Sequence, residues 1–178
     1  VSEFVATIPG HSVTLLDKGF FSADLLLSIQ SGAPERHWLI PERKGLVSEE
    51  ILRYGEGDRL LQMKVSPQAR KKNPALPLDW QVRAVTYEVQ GQTKTIFTSL
   101  PADRFSAEQV ATLYHERWEI ELGFRDIKSA MQDNAMTLRS KTVELVYQEL
   151  WGLLLGYNLI RREASQAAVA HQRAPSEI

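Results

Sequence analysis

Two hydrophobic rhythms divide this chain. Residues 12–17 are apolar and β-prone, with Val13, Leu15 and Leu16 leading to Asp17. Lys18 and Gly19 break the run. Residues 20–30 change to helical spacing, with Leu25, Leu26 and Ile29 on one face and Ser22 as N-cap. Ser31, Gly32, Ala33 and Pro34 stop that helix, and 37–40 reads as a buried strand ended by Pro41. Strand, helix, strand predicts a parallel crossover. Acids at the carboxyl ends of such strands face the ligand crevice, and Asp17 sits at such an end. Residues 2–7 read as the end of a helix.

Residues 42–100 have a different texture. Strands are predicted at 60–65, 80–89 and 94–99, with Gly91 and Gln92 as a hairpin turn between the last two. Residues 66–74 read as a basic, proline-bounded loop carrying Arg70, Lys71 and Lys72. A stretch of that length is not a bare loop in a compact domain. It is expected to be a mostly β insertion whose last strand rejoins the main sheet. Ser106 then caps a helix, with Glu108 and Gln109 in its first turn, that is expected to run unbroken to about residue 132. A polar link with Arg139 and Lys141 leads to a long helix over 143–170, in which a break is left open. There is no internal repeat and no low-complexity segment.

The helix expected over 106–132 carries the most informative pattern. Tyr114, Arg117, Glu121 and Lys128 are spaced to fall within roughly a 60° arc at about 100° per residue. Leu113, Ile120, Phe124, Ile127 and Met131 form an apolar stripe beside them. A carboxylate between cations at the rim of a core is how a protein would hold a metal ion next to phosphates. The bland alternative is that Glu121, Arg117 and Arg125 form an i, i+4 salt-bridge face.

Composition narrows the field only a little. At 178 residues the chain is long enough to bury a core. A formal net charge of −1 provides no global basic field for nucleic acid, though a local groove can be basic. Cysteine is absent, which excludes disulfides, thiolate metal sites and cysteine nucleophiles and fits a reducing cytoplasm. The histidines lack metal-ligand spacing. The longest apolar run, 151–160, is too short for a bilayer span, so no membrane partner is expected. The first residues show no signal-peptide pattern. They read as the middle of something, so a fragment of a longer protein is expected.

Tyr-x2-Arg-x3-Glu-x6-Lys, here Tyr114, Arg117, Glu121 and Lys128 without departure, resembles the signature of the insertion sequence 4 family of DDE transposases. The sequence around Trp118 and Gly123, the segment from Thr137 to Lys141, Gln148 to Gly152, and Tyr157 with Asn158 are similar to the same family. So is the segment from Leu16 and Asp17 to Ser22, which in the family carries the second catalytic aspartate. The resemblance implies an α/β, RNase H-like core, incomplete at its N-terminus, with core parts at 1–41 and 101–178 and the insertion at 42–100. It implies three carboxylates holding two Mg²⁺ (or Mn²⁺) ions, one activating the attacking water or 3′-hydroxyl and the other stabilising the leaving oxygen. Asp17 would be the second acid and Glu121 the third, each a catalytic and metal-binding residue. Tyr114, Arg117 and Lys128 would contact phosphates of the transposon end. The reactions implied are endonucleolytic hydrolysis at the ends of an insertion sequence and strand transfer into target DNA, by a homodimer on double-stranded DNA in a bacterial cytoplasm.

The family's first aspartate lies before this chain begins, so the chain is expected to be inactive alone. Asp24, Asp58 and Asp103 have no motif context, and Asp126 faces away from Glu121 on a continuous helix. Asp17 as a plain turn residue stays open. So does DNA contact by Arg70, Lys71, Lys72, Arg139 and Lys141, which also read as solvated surface; His115 would be a minor contact. Tyr114 is open to packing its ring on the core. Trp80 reads as strand core, with stacking on a flipped base as the rival. Trp118 and Trp151 read as core. The competing functions are a different nuclease on the same fold and a non-catalytic fragment that binds DNA or another subunit.

Overall fold

A computed structural model describes residues 2–89, 91–133 and 139–173. Contacts divide the chain into two compact units, one up to Glu116 and one from Arg117 onward.

The first unit is α/β. Its elements are α1 (Ser2–Thr7), β1 (Ser12–Leu15), a 3₁₀ turn (Lys18–Phe20), α2 (Ala23–Ser31), β2 (Arg36–Pro41), β3 (Ser48–Gly55), β4 (Asp58–Lys64), α3 (Pro67–Lys72), β5 (Asp79–Val89), β6 (Gln92–Thr98) and α4 (Ala107–His115). Six strands form one sheet in the order β1-β2-β6-β5-β4-β3. β1 and β2 are parallel, joined by the α2 crossover that the sequence predicts, and every other pairing is antiparallel. β6 does rejoin the β1–β2 pair, with Leu39 opposite Thr98, and β5, β4 and β3 extend the same sheet outward from it.

Alternation along the strands fills two layers. Trp38, Ile40, Met63, Trp80, Val82 and Phe97 meet Leu25, Leu26 and Ile29 of α2 on one face. Leu39, Val85 and Ile96 meet Leu100 and Val110 of the α4 side on the other. Arg36 is buried and donates to the carbonyls of Val5 and Ile8, which satisfies the end of α1. Arg83 forms a buried bidentate pair with Asp58 at 2.8 and 2.6 Å. Its third nitrogen, Nη1, donates to the carbonyls of Leu100 and Phe105 at 3.2 and 2.8 Å, so one guanidinium ties two strands to the segment leading into α4.

Several sequence expectations change here. Residues 67–72 form a helix, not a loop: Ser66 accepts from the Ala69 N–H and Pro67 occupies the first turn, where its missing N–H is harmless. β3 was not anticipated, because its residues are exposed throughout and show no apolar alternation. Gln92 is not a turn residue as expected, because it belongs to β6 and pairs with Val89; Gly91 has φ 72°, and Gln90 lies outside the described residues.

The helix expected over 106–132 is two helices. α4 ends at His115, Glu116 and Arg117 form a turn, and the second unit opens with α5 (Trp118–Asp133). Hydrogen bonds of i to i+3 type from Glu116 to Leu113 and from Ile120 to Arg117 mark the tightening. The rest of the second unit is α6 (Val143–Ala170), an unbroken helix capped by Thr142, which accepts from the Leu145 N–H. Glu149 of α6 accepts from the Arg139 N–H and the Ser140 hydroxyl, fastening the preceding link. α5 and α6 approach closely at Gly123, where a Cβ would stand 3.1 Å from the Tyr157 hydroxyl. Trp118 and Trp151 are not core: they are 49% and 63% exposed. Ile120 and Phe124 of the apolar stripe are exposed as well; the Met131 side chain and residues 134–138, including Thr137, lie outside the described residues.

Candidate functional site

Asp17 follows β1 at its carboxyl end. Leu16 still bonds to β2, its N–H donating to the Leu39 carbonyl at 2.9 Å, and then the chain leaves the sheet. Asp17 has extended backbone (φ −78°, ψ 152°), and its carbonyl accepts from the Phe20 N–H. Its carboxylate makes no capping bond to the 3₁₀ turn, and the residue is exposed. The parallel crossover therefore delivers an acid to the strand end without employing it as a cap.

Tyr114 stands near the end of α4. The capping box at the start of that helix is complete: Ser106 accepts from the Gln109 N–H at 3.2 Å, and Gln109 accepts from the Ser106 N–H at 2.9 Å. The Tyr114 ring is half-buried against the Leu39, Val85 and Ile96 cluster, as its amphipathic character allows. His115 beside it is exposed.

The second unit holds the rest of the signature. Arg117 donates through Nη1 to Glu121 Oε1 at 2.6 Å, and its guanidinium lies 5.4 Å from the Trp118 ring centre. The i, i+4 ion pair that the spacing allowed is thus present. Glu121 and Lys128 line one open recess on α5 together with Phe124, Arg125 and Ser129. Arg125 is the residue that the sequence signature leaves out of this group. Its position, four after Glu121 on the same face, was the available signal. The helix turn at 116–117 separates Tyr114 from the other three signature residues, so the single helical arc expected for all four does not exist as one helix.

The remaining cations lie apart from these positions in the chain. Arg70, Lys71 and Lys72 occupy the last turn of α3, where positive charge complements the helix dipole. Lys71 and Lys72 are exposed and Arg70 is half-buried. Arg139 and Lys141, both exposed, belong to the link before α6. Asp24 is engaged by the Asn73 side-chain amide at 2.7 Å, and Asp58 by Arg83, which accounts structurally for two acids without motif context. Trp80 is 6% exposed and lies between Trp38 and Phe21, with ring centres 5.8 and 6.2 Å away, so it is core. Among the described residues, no three His, Asp or Glu side chains gather in a way that would hold a metal ion.

A family profile described as "Transposase DDE domain" matches residues 1–159. The Escherichia coli (strain K12) transposase InsG for insertion sequence element IS4 is 47% identical over 159 residues, covering 89% of this chain and 36% of that protein. The putative transposase InsL for insertion sequence element IS186A, from the same strain, is 44% identical over 79 residues, 44% of this chain and 20% of its own length. The putative transposase InsZ is 51% identical over 49 residues, 28% of this chain and 16% of its own length. The chain thus spans little more than a third of the first of these relatives. No solved structure matches it. Among the described residues, no helix is long and apolar enough to cross a membrane.

Proposed function

Because this chain belongs to the insertion sequence 4 family of DDE transposases, we propose that it forms part of a catalytic domain that cuts and joins DNA at transposon ends. The observation that carries this reading is the grouping on α5 of Glu121, Lys128 and Arg125 around one recess, with Arg117 bonded to Glu121. The fold we propose for the complete domain is RNase H-like, with Asp17 at the carboxyl end of β1.

Asp17 and Glu121 would hold divalent cations, Mg²⁺ or Mn²⁺. Both are hard oxygen donors of the type such ions take. Two carboxylates fit in kind but leave the set short, so a further acid is assigned to sequence outside this chain. When bound, the cations would activate the attacking water or 3′-hydroxyl and stabilise the leaving oxygen. The chain's own contribution is positioning and charge. Arg117 and Lys128 would each hydrogen-bond a phosphate oxygen, and Arg117 holds Glu121 in place until a phosphate competes for it. Tyr114, its ring fixed by the core, would donate one further hydrogen bond. Arg70, Lys71, Lys72, Arg139 and Lys141 would add sequence-independent contacts to double-stranded DNA. The working form would be a homodimer on paired ends, and this chain alone would not catalyse. A non-catalytic DNA-binding role is the second reading, favoured by the absence, among the described residues, of three His, Asp or Glu side chains grouped to hold a metal ion.

The test uses the full-length protein, labelled transposon-end DNA and Mg²⁺, with Asp17→Ala and Glu121→Ala run beside the parent. Loss of cutting in both variants, with DNA binding retained, is the expected outcome. Variants that cut as well as the parent overturn the assignment. A folded parent that binds and never cuts transfers it to the second reading.

A further inference from the structure

Asp58 of β4 and Arg83 of β5 are charged, yet only 7% and 3% exposed. Nε and Nη2 of Arg83 occupy both carboxylate oxygens of Asp58, and Nη1 is left to hold the carbonyls of Leu100 and Phe105. The Tyr54 ring of β3 stands 5.9 Å from the same guanidinium, within cation–π range. Three strands of the 42–100 segment therefore converge on one cation. Replacing a buried ion pair with apolar side chains of similar volume is often neutral or stabilising, so stability of the sheet does not by itself account for this one. Holding two carbonyls is what a guanidinium can do and an apolar side chain cannot.

Those two carbonyls bracket the turn that leads into α4, and Phe105 directly precedes the N-cap Ser106. Val110 and Tyr114, one helical turn apart, lay one face of α4 on Leu39, Val85 and Ile96. Val85 lies two residues after Arg83 and pairs with Asp58, so the ion pair and the seat of α4 share one face of the sheet. We propose that the Asp58–Arg83 pair is a positioning device for Tyr114: it fixes the start of α4, and the helix carries that placement to the tyrosine. Tyr114 stands eight residues beyond Ser106, about 12 Å along the axis, so each degree of tilt at the start moves it by about 0.2 Å. A misplacement of about 1 Å is enough to spoil a contact that works in one geometry. Strands of the 42–100 segment thereby set a residue of the signature that lies beyond them in the chain.

The inference rests on the reading of Tyr114 as a phosphate contact, so one arm of its test contains no DNA. In the full-length protein, Asp58→Leu combined with Arg83→Met removes both charges together and spares the sheet the unpaired charge that either change alone would leave. Hydrogen exchange should quicken about tenfold in the amides of α4 and stay unchanged in β2 and β6. Arg83→Lys, which keeps the charge but not the fork, should fall between the parent and the double variant. Should the double variant not fold, Arg83→Lys carries the same measurements. Binding of transposon-end DNA reads the consequence. Tyr114→Phe should weaken it about tenfold in the parent, as for one hydrogen bond to a charged group, and should add nothing in the double variant. Lys128→Ala should weaken both proteins by the same factor. A merely structural pair would leave the Tyr114→Phe factor unchanged. Equal exchange of α4 in parent and double variant overturns the proposal, and so does a full Tyr114→Phe effect in the double variant. If Tyr114→Phe is silent in the parent, the phosphate reading of Tyr114 fails by itself, and hydrogen exchange alone decides whether the pair places α4.

Discussion

The two units treat their hydrophobic residues in opposite ways. Up to Glu116, strand alternation places large side chains in two layers, and Trp38, Leu39, Ile40, Val82, Val85 and Phe97 have almost no contact with solvent. From Arg117 onward, Ala168 alone is fully buried among the described residues, and Trp118, Ile120, Phe124, Trp151, Leu155 and Ile160 are exposed. Composition does not separate the units, since both are rich in large apolar residues. The separation comes from partners: a sheet gives each strand neighbours on two sides and a layer on each face, while two helices in contact can cover only part of each other's circumference.

The comparison can be broken by tryptophan. Trp80→Ala should destabilise the first unit by about 3–5 kcal/mol, the usual loss for a large aromatic side chain cut from a packed core. Urea denaturation followed by far-UV circular dichroism measures it, and a loss below about 1 kcal/mol would show that the layer around Trp38 and Phe21 is loosely packed. Trp151→Ala should change stability by less than about 0.5 kcal/mol, as for other exposed positions. A loss like that of Trp80 would mean that α6 buries this ring in solution, and the contrast between the units would disappear.

A smaller effect sharpens the description of the first unit's surface. Arg104 donates to Glu35 at 2.7 Å, and this bond holds the Glu35 carboxyl below its ordinary value, with the charge of Arg104 and then His37 adding to it. A depressed carboxylate contributes stability that is present above its unfolded pKa and is lost as pH falls through the lower, folded one. Arg104→Ala should therefore move the Glu35 titration upward toward 4.5, read by NMR of the side-chain carboxyl. An unmoved titration would mean that the ion pair does not persist in solution.

Legibility in the sequence followed the strength of local signals. β1, α2 and β2 were readable because each combines a hydrophobic period with a clear stop, Gly19 for one and Pro34 and Pro41 for the others. The capping box at Ser106 and Gln109 announced α4 in the same way. β3 was not readable: its conformation is imposed by pairing with β4, while its own side chains face water and carry no pattern. α3 was obscured by its basic run, although Ser66 and Pro67 were a helix start in plain view. For the candidate site, sequence located Asp17 at a strand end and Glu121 with its cations on one helical flank. It missed the turn at Glu116 and Arg117, because a shift from i+4 to i+3 bonding needs no Gly or Pro to mark it. It also gave no sign that Asp58 and Arg83 bond each other, since pairing across two strands depends on register, not on spacing along the chain.

The order of strands in the sheet also sets a timetable. β1, α2 and β2 leave the ribosome before β3 to β6, yet the antiparallel neighbour of β2 is β6, whose Thr98 pairs back to Leu39. Closing so long a loop is entropically slow. The hairpins β3–β4 and β5–β6 have tight connections, closed by pairs such as Gly55 with Asp58 and Val89 with Gln92, and need no such wait. The strand pair that carries Asp17 should therefore be the last part of the sheet to settle, docking onto a meander that has already formed.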